Sequence, residues 1–422
     1  MSLPEPQITR FRHWLGSARQ RSFDTPEALW AWSVEAPDDF LQSVWDYFEI
    51  ESPGAARFAD AQVSFVHQVF RHADAAHGAD IPAILFRNEM LHDAGRTLEL
   101  SWPELRREVA SLAVSLRGMG VQPHDHVAAY LPNAPQTVVA FLACASLGAV
   151  WSVCSPDVGA PAALDRFSPS RPKVLIACDG TTYGGRDHDR LPVVHALLAG
   201  LPSVEHVVLW PCLDKDAEVD EFARPGRRAY DLRPLLAGNP DFEPVWLPFD
   251  HPLWIDHASA SGPQVQGHGR VMLASIALHA LHHDLGATVE TGDRLHWTTS
   301  SGDLTWQCQV SALLGGTTLC LYHGYPGGRL DAPDWSRIWQ FVGETGVTFF
   351  GTDVTILTAT VEADLDLLRV ADLTALRAIA ASDAADPRAP VPMKLPAACS
   401  DWLRPQLAGK DGEPVRFIGQ TV

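Results

Sequence analysis

Lysine is nearly missing from this 422-residue chain: Lys173, Lys215, Lys394 and Lys410 are all it has, and none falls between residues 216 and 393. A stretch that long without an ammonium group has no Lys to set against a phosphate, although a general preference for Arg accounts for the shortage more simply. The seven cysteines form no CxxC pair and most lie inside apolar runs, which excludes a compact thiolate motif and implies reduced core residues. No apolar run approaches the ~18 residues that span a bilayer, and MSLPEPQITRFRHW at the N-terminus has no apolar leader core. No Lys/Arg-rich run exists either, and the net charge is -19, so neither nucleic acid nor an anionic membrane surface is an expected partner. These absences together place the chain in the cytoplasm.

What is present reads as a large α/β protein. With 46% hydrophobic and 20% charged residues the chain can bury a sizeable core in two or three packed units. From residue 80 short β-branched runs alternate with helical periodicity, the signature of parallel sheets covered on both faces. AILF (83–86), HVAAYL (126–131), AVWSVC (149–154), KVLIAC (173–178) and EHVVLW (205–210) read as strands of one doubly wound layer. Ser101 followed by Glu104 predicts a capping box for a helix carrying Leu105, Val109, Leu112 and Leu116 on one face. Residues 211–250 read as a Pro- and Gly-rich connection, and LWI (253–255), RLHWTT (294–299), TTLCLY (317–322), VTFFGT (347–352), LRAIAA (376–381) and VRFIG (415–419) as strands of a second layer. The stretch 383–398 reads as irregular. The expected division is a helical cap over 1–55, a first α/β subdomain over 56–245 and a second over 246–422.

Several stretches resemble the acetoacetyl-CoA synthetase branch of the adenylate-forming acyl-CoA synthetases. They are ALWAWSVEAPDDFLQSVWDYFEI (28–50), VAAYLPNAPQTVVAFLACASLGAVWSVCSPDVG (127–159), LDRFSPSRPKVLIACDG (164–180), GDRLHWTTSSGDLTW (292–306) and GVTFFGTDVTILTA (346–359). The resemblance implies two stacked doubly wound subdomains of that family's large N-terminal domain. It also exposes departures. In HPLWIDHASASGPQVQGHGR (251–270) the family's Ser/Thr/Gly phosphate loop is shortened, with Gly262 alone before Gly267 and no Lys. AIAASDAAD (378–386) lacks the glycines of the adenine segment, and Asp383 stands at one of them. A carboxylate there opposes a phosphate by about 1 to 4 kcal/mol at contact distance. VRFIGQTV (415–422) resembles the strand before the family's Mg-ATP motif, with Gly419 and Thr421 kept and Val422 at the acid, and the expectation is that the ribose Asp, hinge and catalytic Lys have no counterpart. The expectation is that the ATP, Mg and CoA sites are lost and that no cofactor or metal is bound.

New ionisable groups fall on the segments that the resemblance assigns to the pocket: Asp256 and His257 after LWI, His296 in RLHW, Asp303 in place of an aromatic residue, and Asp353 in place of a Ser. A clustered Asp and His set suits proton transfer, because desolvation and close charges move such groups toward neutrality. Asp303 and His257 form the preferred acid–base pair, with Asp353 and His296 as further catalytic candidates. Asp256, Trp297, Trp306, Gly351, Thr352, Asp383 and His268 are the expected substrate-binding residues. Plainer roles compete: Asp303 and Asp353 both precede helices and suit N-caps, His296 suits a hydrogen-bonded core position, and the tryptophans suit core packing. The functional expectation is a repurposed scaffold performing ATP-independent chemistry on a small metabolite. A non-catalytic binding or scaffold protein, homodimeric or docked to a biosynthetic partner, and a ligase completed by a second chain are the alternatives.

Overall fold

A computed structural model describes residues 5–54, 57–257, 262–383, 394–407 and 414–418. Three helices, Gln7–Arg19, Pro26–Glu35 and Pro37–Tyr47, come first among the described residues. Two seven-stranded sheets follow, each parallel except for one antiparallel edge pair. In the first the order is Arg228–Asp231, His206–Trp210, Val174–Cys178, His126–Tyr130, Val150–Cys154, Pro252–Asp256 and Gln264–Gly267. The second runs Arg416–Phe417, Ala378–Ser382, Phe349–Asp353, Arg294–Trp297, Thr318–His323, Pro82–Asn88 and Leu98–Ser101.

Local sequence explains the main elements. The helix Trp102–Gly118 opens on the capping box: Ser101 Oγ accepts the Glu104 N–H, and Glu104 Oε2 accepts the Ser101 N–H at 2.9 Å. Leu105, Val109, Leu112 and Leu116 face inward, and Gly120 takes a positive φ just beyond. The helix Pro135–Leu147 is apolar all round and buried at every residue but Gln136, as a helix enclosed by protein must be. Its Phe141 lies 5.4 Å from the Trp254 ring and 6.3 Å from Trp306, in a core that takes residues from both sheets.

Two expectations need correction. Residues 211–250 are not merely a connection, since Arg228–Asp231 pairs in parallel with His206–Trp210 and extends the first sheet. Nor do the sheets divide the chain at residue 245. Pro82–Asn88, expected in the first layer, pairs with Thr318–His323 in the second sheet, while Pro252–Asp256 pairs with Val150–Cys154 in the first. Each sheet is finished by an antiparallel ribbon taken from the other stretch. Most of 383–398 lies outside the described residues, as does Gly419 onward, and Ala397–Leu403 is helical. Among the described residues no helix is long and apolar enough to cross a membrane.

Candidate functional site

The C-terminal ends of strands from both sheets surround a cleft of about 920 Å³, the position where open α/β sheets hold their ligands. Residues 155–157 follow Val150–Cys154, Asp256 ends its strand, residues 298–300 follow Arg294–Trp297, His323 ends Thr318–His323, and Asp353, Ser382 and Asp383 close the far side. Five aspartates, Asp157, Asp256, Asp303, Asp353 and Asp383, thus line one hollow, and Arg190 is the only Lys or Arg among its described lining residues. A second cavity of about 510 Å³ adjoins the cleft and shares Asp256 and Leu304 with it; its walls include Trp254, Trp297 and Val271.

Asp303 is presented by a turn that requires glycine beside it. Gly302 has φ +91°, and a Cβ there would lie 2.6 Å from the Val153 carbonyl oxygen. The Asp303 side chain does not cap the helix Leu304–Ser311; its Oδ2 accepts the Ser300 N–H at 3.3 Å instead. The carboxyl opens to cleft water but stands among the cleft walls, and this crowding lifts it to about 6, opposed by the Ser300 N–H, aided by Asp157 and opposed by Arg166. Asp353 does cap its helix, accepting the Thr355 N–H at 2.8 Å and the Thr355 hydroxyl at 2.6 Å, while also lining the cleft. Its role as a cap therefore coexists with its place in the site.

His257 is half-buried, and its Nε2 pairs with Ser152 Oγ at 2.9 Å. Burial lowers its pKa, Arg166 lowers it further, and Asp256 opposes both. Asp303 and His257, the preferred pair, therefore share Arg166 as a charged neighbour, but only Asp303 is part of the cleft wall.

His296, Trp306, His268 and Thr352 do not reach the cleft. His296 is fully buried between the Cys320 carbonyl, 2.7 Å from Nδ1, and Thr298 Oγ1, 3.1 Å from Nε2, and stacks on Phe350. Burial lowers its pKa to about 4, and it is a neutral core residue. Trp306 packs on Phe141, and His268, the first residue of the helix His268–Ala277, is buried against His251, its pKa lowered to about 3 by burial. Thr352 is fully buried. Trp297 lies across Gly351, where any Cβ would meet the indole at 2.3 Å, and it lines the second cavity rather than the cleft. Asp256 and Asp383 do line the cleft.

Sequence reasoning missed Asp157, His323, Tyr183 and Tyr325. His323 faces the cleft with Nε2 lacking a hydrogen-bond partner among the described residues, and burial lowers its pKa to about 4, with Asp157 opposing. Asp157 and His323 sit at or just past strand C-termini, a position that identifies them once the strands are assigned.

A profile of the family described as AMP-binding enzyme matches residues 70–407. The chain belongs to the AMP-binding enzyme family. Within it, the chain is 31% identical over 387 residues to acetoacetyl-CoA synthetase of Rattus norvegicus, covering 86% of this chain and 55% of that protein. It is 30% identical over 395 residues to acetoacetyl-coenzyme A synthetase of Rhizobium meliloti (strain 1021), covering 88% of this chain and 56% of that one. Malonamoyl-CoA synthetase vrtB of Penicillium aethiopicum is 29% identical over 362 residues, with 79% and 49% covered. Among solved structures, the acetoacetyl-CoA synthetase from Streptomyces lividans superposes with a TM-score of 0.84 at 35% identity, over 98% of this chain and 62% of that one. This member of the AMP-binding family thus has the fold of the acyl-CoA synthetase N-terminal domain and spans little more than half the length of these curated relatives.

Proposed function

We propose that the chain has given up ATP-dependent adenylation and thioester ligation and uses its cleft for ATP-independent acid–base chemistry on a small metabolite, in the cytoplasm and in secondary metabolism. The observation that carries this reading is the charge of the cleft, five aspartates with Arg190 as the only Lys or Arg on the described lining. Each ionised carboxylate in contact with a phosphate costs about 1 to 4 kcal/mol, depending on the effective dielectric. The described donor set therefore fits a neutral or cationic ligand and does not fit a nucleotide polyphosphate. With a carboxyl near 6, Asp303 exchanges a proton close to neutral pH, the range in which a general acid or base works best. The Ser300 N–H fixes one of its oxygens, and the uncharged His323 ring is available to make a hydrogen bond to a ligand through Nε2. Cyclisation, isomerisation, elimination and hydrolysis all suit such a pair.

Calorimetry with ATP, AMP and CoA tests the loss of ligation. No binding tighter than about 0.1 mM, or -5.5 kcal/mol, is expected, and tighter binding of any of them overturns the proposal. A ligase reading is favoured by the family match over residues 70–407 together with the partial coverage of the relatives, which leaves room for another segment or chain to complete the reaction. Acyl-dependent release of pyrophosphate from ATP is the assay that supports it.

A further inference from the structure

The apolar cavity beside the cleft has one polar corner, made by His283, Cys308 and Ser311 with His279 behind them. His279 lies on a π-helical turn, Leu278–His282, and His283, four residues on, is the residue that ends it; such a local widening recurs at functional sites. Cys308 comes from the neighbouring helix Leu304–Ser311. The donor atoms of His279, His283 and Cys308 lie within 4.8 Å of one another. His279 Nε2 is 2.9 Å from the Cys308 carbonyl oxygen, which can only accept, so Nε2 carries the proton and Nδ1 offers a lone pair. That Nδ1 is 3.4 Å from Nδ1 of His283. Two nitrogens each about 2.0–2.1 Å from one tetrahedral zinc are about 3.4 Å apart. His283 is 1% exposed, and its Nε2 has no hydrogen-bond partner among the described residues.

We propose that His279, His283 and Cys308 bind one divalent cation of the zinc class, with a fourth coordination position open to the apolar cavity. Imidazole with thiolate selects such borderline-soft ions over magnesium or calcium. The His279 N–H to a backbone carbonyl, with the Ser311 hydroxyl 3.1 Å from the same nitrogen, is the outer support that fixes a ligating imidazole. On binding, the proton that His283 Nδ1 donates to His279 Nδ1 moves to the unpartnered His283 Nε2, the Cys308 S–H bond breaks, sulfur keeps the electron pair and forms the metal–sulfur bond, and one proton is released per ion to buffer. None of His279, His283 and Cys308 lines the cleft, although Asp256 lines both hollows, so the ligands can be tested independently of the proposed acid–base chemistry.

The test is titration of the chelator-stripped full chain with Zn²⁺ against a chromophoric competitor, and with Co²⁺ followed by absorbance. One tight equivalent is expected, with tetrahedral cobalt bands and a thiolate-to-cobalt charge-transfer band. Cys308→Ser should abolish the charge-transfer band. His283→Gln should weaken zinc by more than about 100-fold, while Ser311→Ala should fall in the 10- to 100-fold range typical of outer-shell partners. Circular dichroism checks that each variant is folded; if His283→Gln is not, Cys308→Ser alone decides. A wild-type chain that binds no ion more tightly than Cys308→Ser, or a cobalt complex without the thiolate band, overturns the site.

Discussion

At the scale of single residues, Asp303 stands apart because it lacks the role its position offers. It precedes a helix and leaves the cap unmade, while its carboxyl is lifted to about 6. Binding or turnover of a cleft ligand should therefore change across pH 6 in the wild type and lose that inflection in Asp303→Asn; an inflection that persists assigns it to another group. Activity that rises through pH 6 marks Asp303 as a base and activity that falls marks it as an acid, since the carboxyl is ionised above its pKa. Asp256, Asp303, Asp353 and Asp383 were all legible in the sequence as departures from a family pattern. His296 and His268 were misplaced because composition does not say which side of a strand or helix a ring takes. His296 points into the layer with Phe341 and Phe350, whereas residues 298–300, just past the strand end, open to the cleft. His323 escaped notice because it sits on the last residue of an otherwise apolar strand.

At the scale of elements, the helix Pro135–Leu147 has no side-chain cap at its N-terminus, ends on a left-handed Gly148, and depends heavily on packing. Phe141 ties it to Phe65, Trp151, Trp254 and Trp306. Phe141→Ala should cost about 3–5 kcal/mol, read as a fall in the urea midpoint, and a loss below 1 kcal/mol would mean that the ring is replaceable by its neighbours. Most elements could be read from the chain because their signals are local: a capping box at Ser101, β-branched runs for central strands, apolar positions at helical spacing. Arg228–Asp231 could not, since a short charged edge strand has the composition of a loop.

At the scale of the whole molecule, several imidazoles are buried uncharged. Burial lowers His268 to about 3 and His279 and His296 to about 4. An unfolded chain titrates these rings near 6.5, so their contribution is complete above that pH. It is lost as pH falls from about 6.5 toward 4, at about 1.4 kcal/mol per pH unit for each ring. The urea midpoint should drop steeply between pH 6.5 and 4.5, and a flat profile would contradict the buried placement. The two-layer architecture was legible, but its partition was not, because pairing between strands far apart in sequence leaves no mark on either strand alone. That exchange of edge ribbons also orders events on the ribosome. Pro82–Asn88 emerges early yet has its parallel neighbour Thr318–His323 only much later, and the first sheet stays open until residues 252–267 have been made. Until those partners exist an apolar strand edge has nothing to pair with, the condition under which aggregation competes with folding.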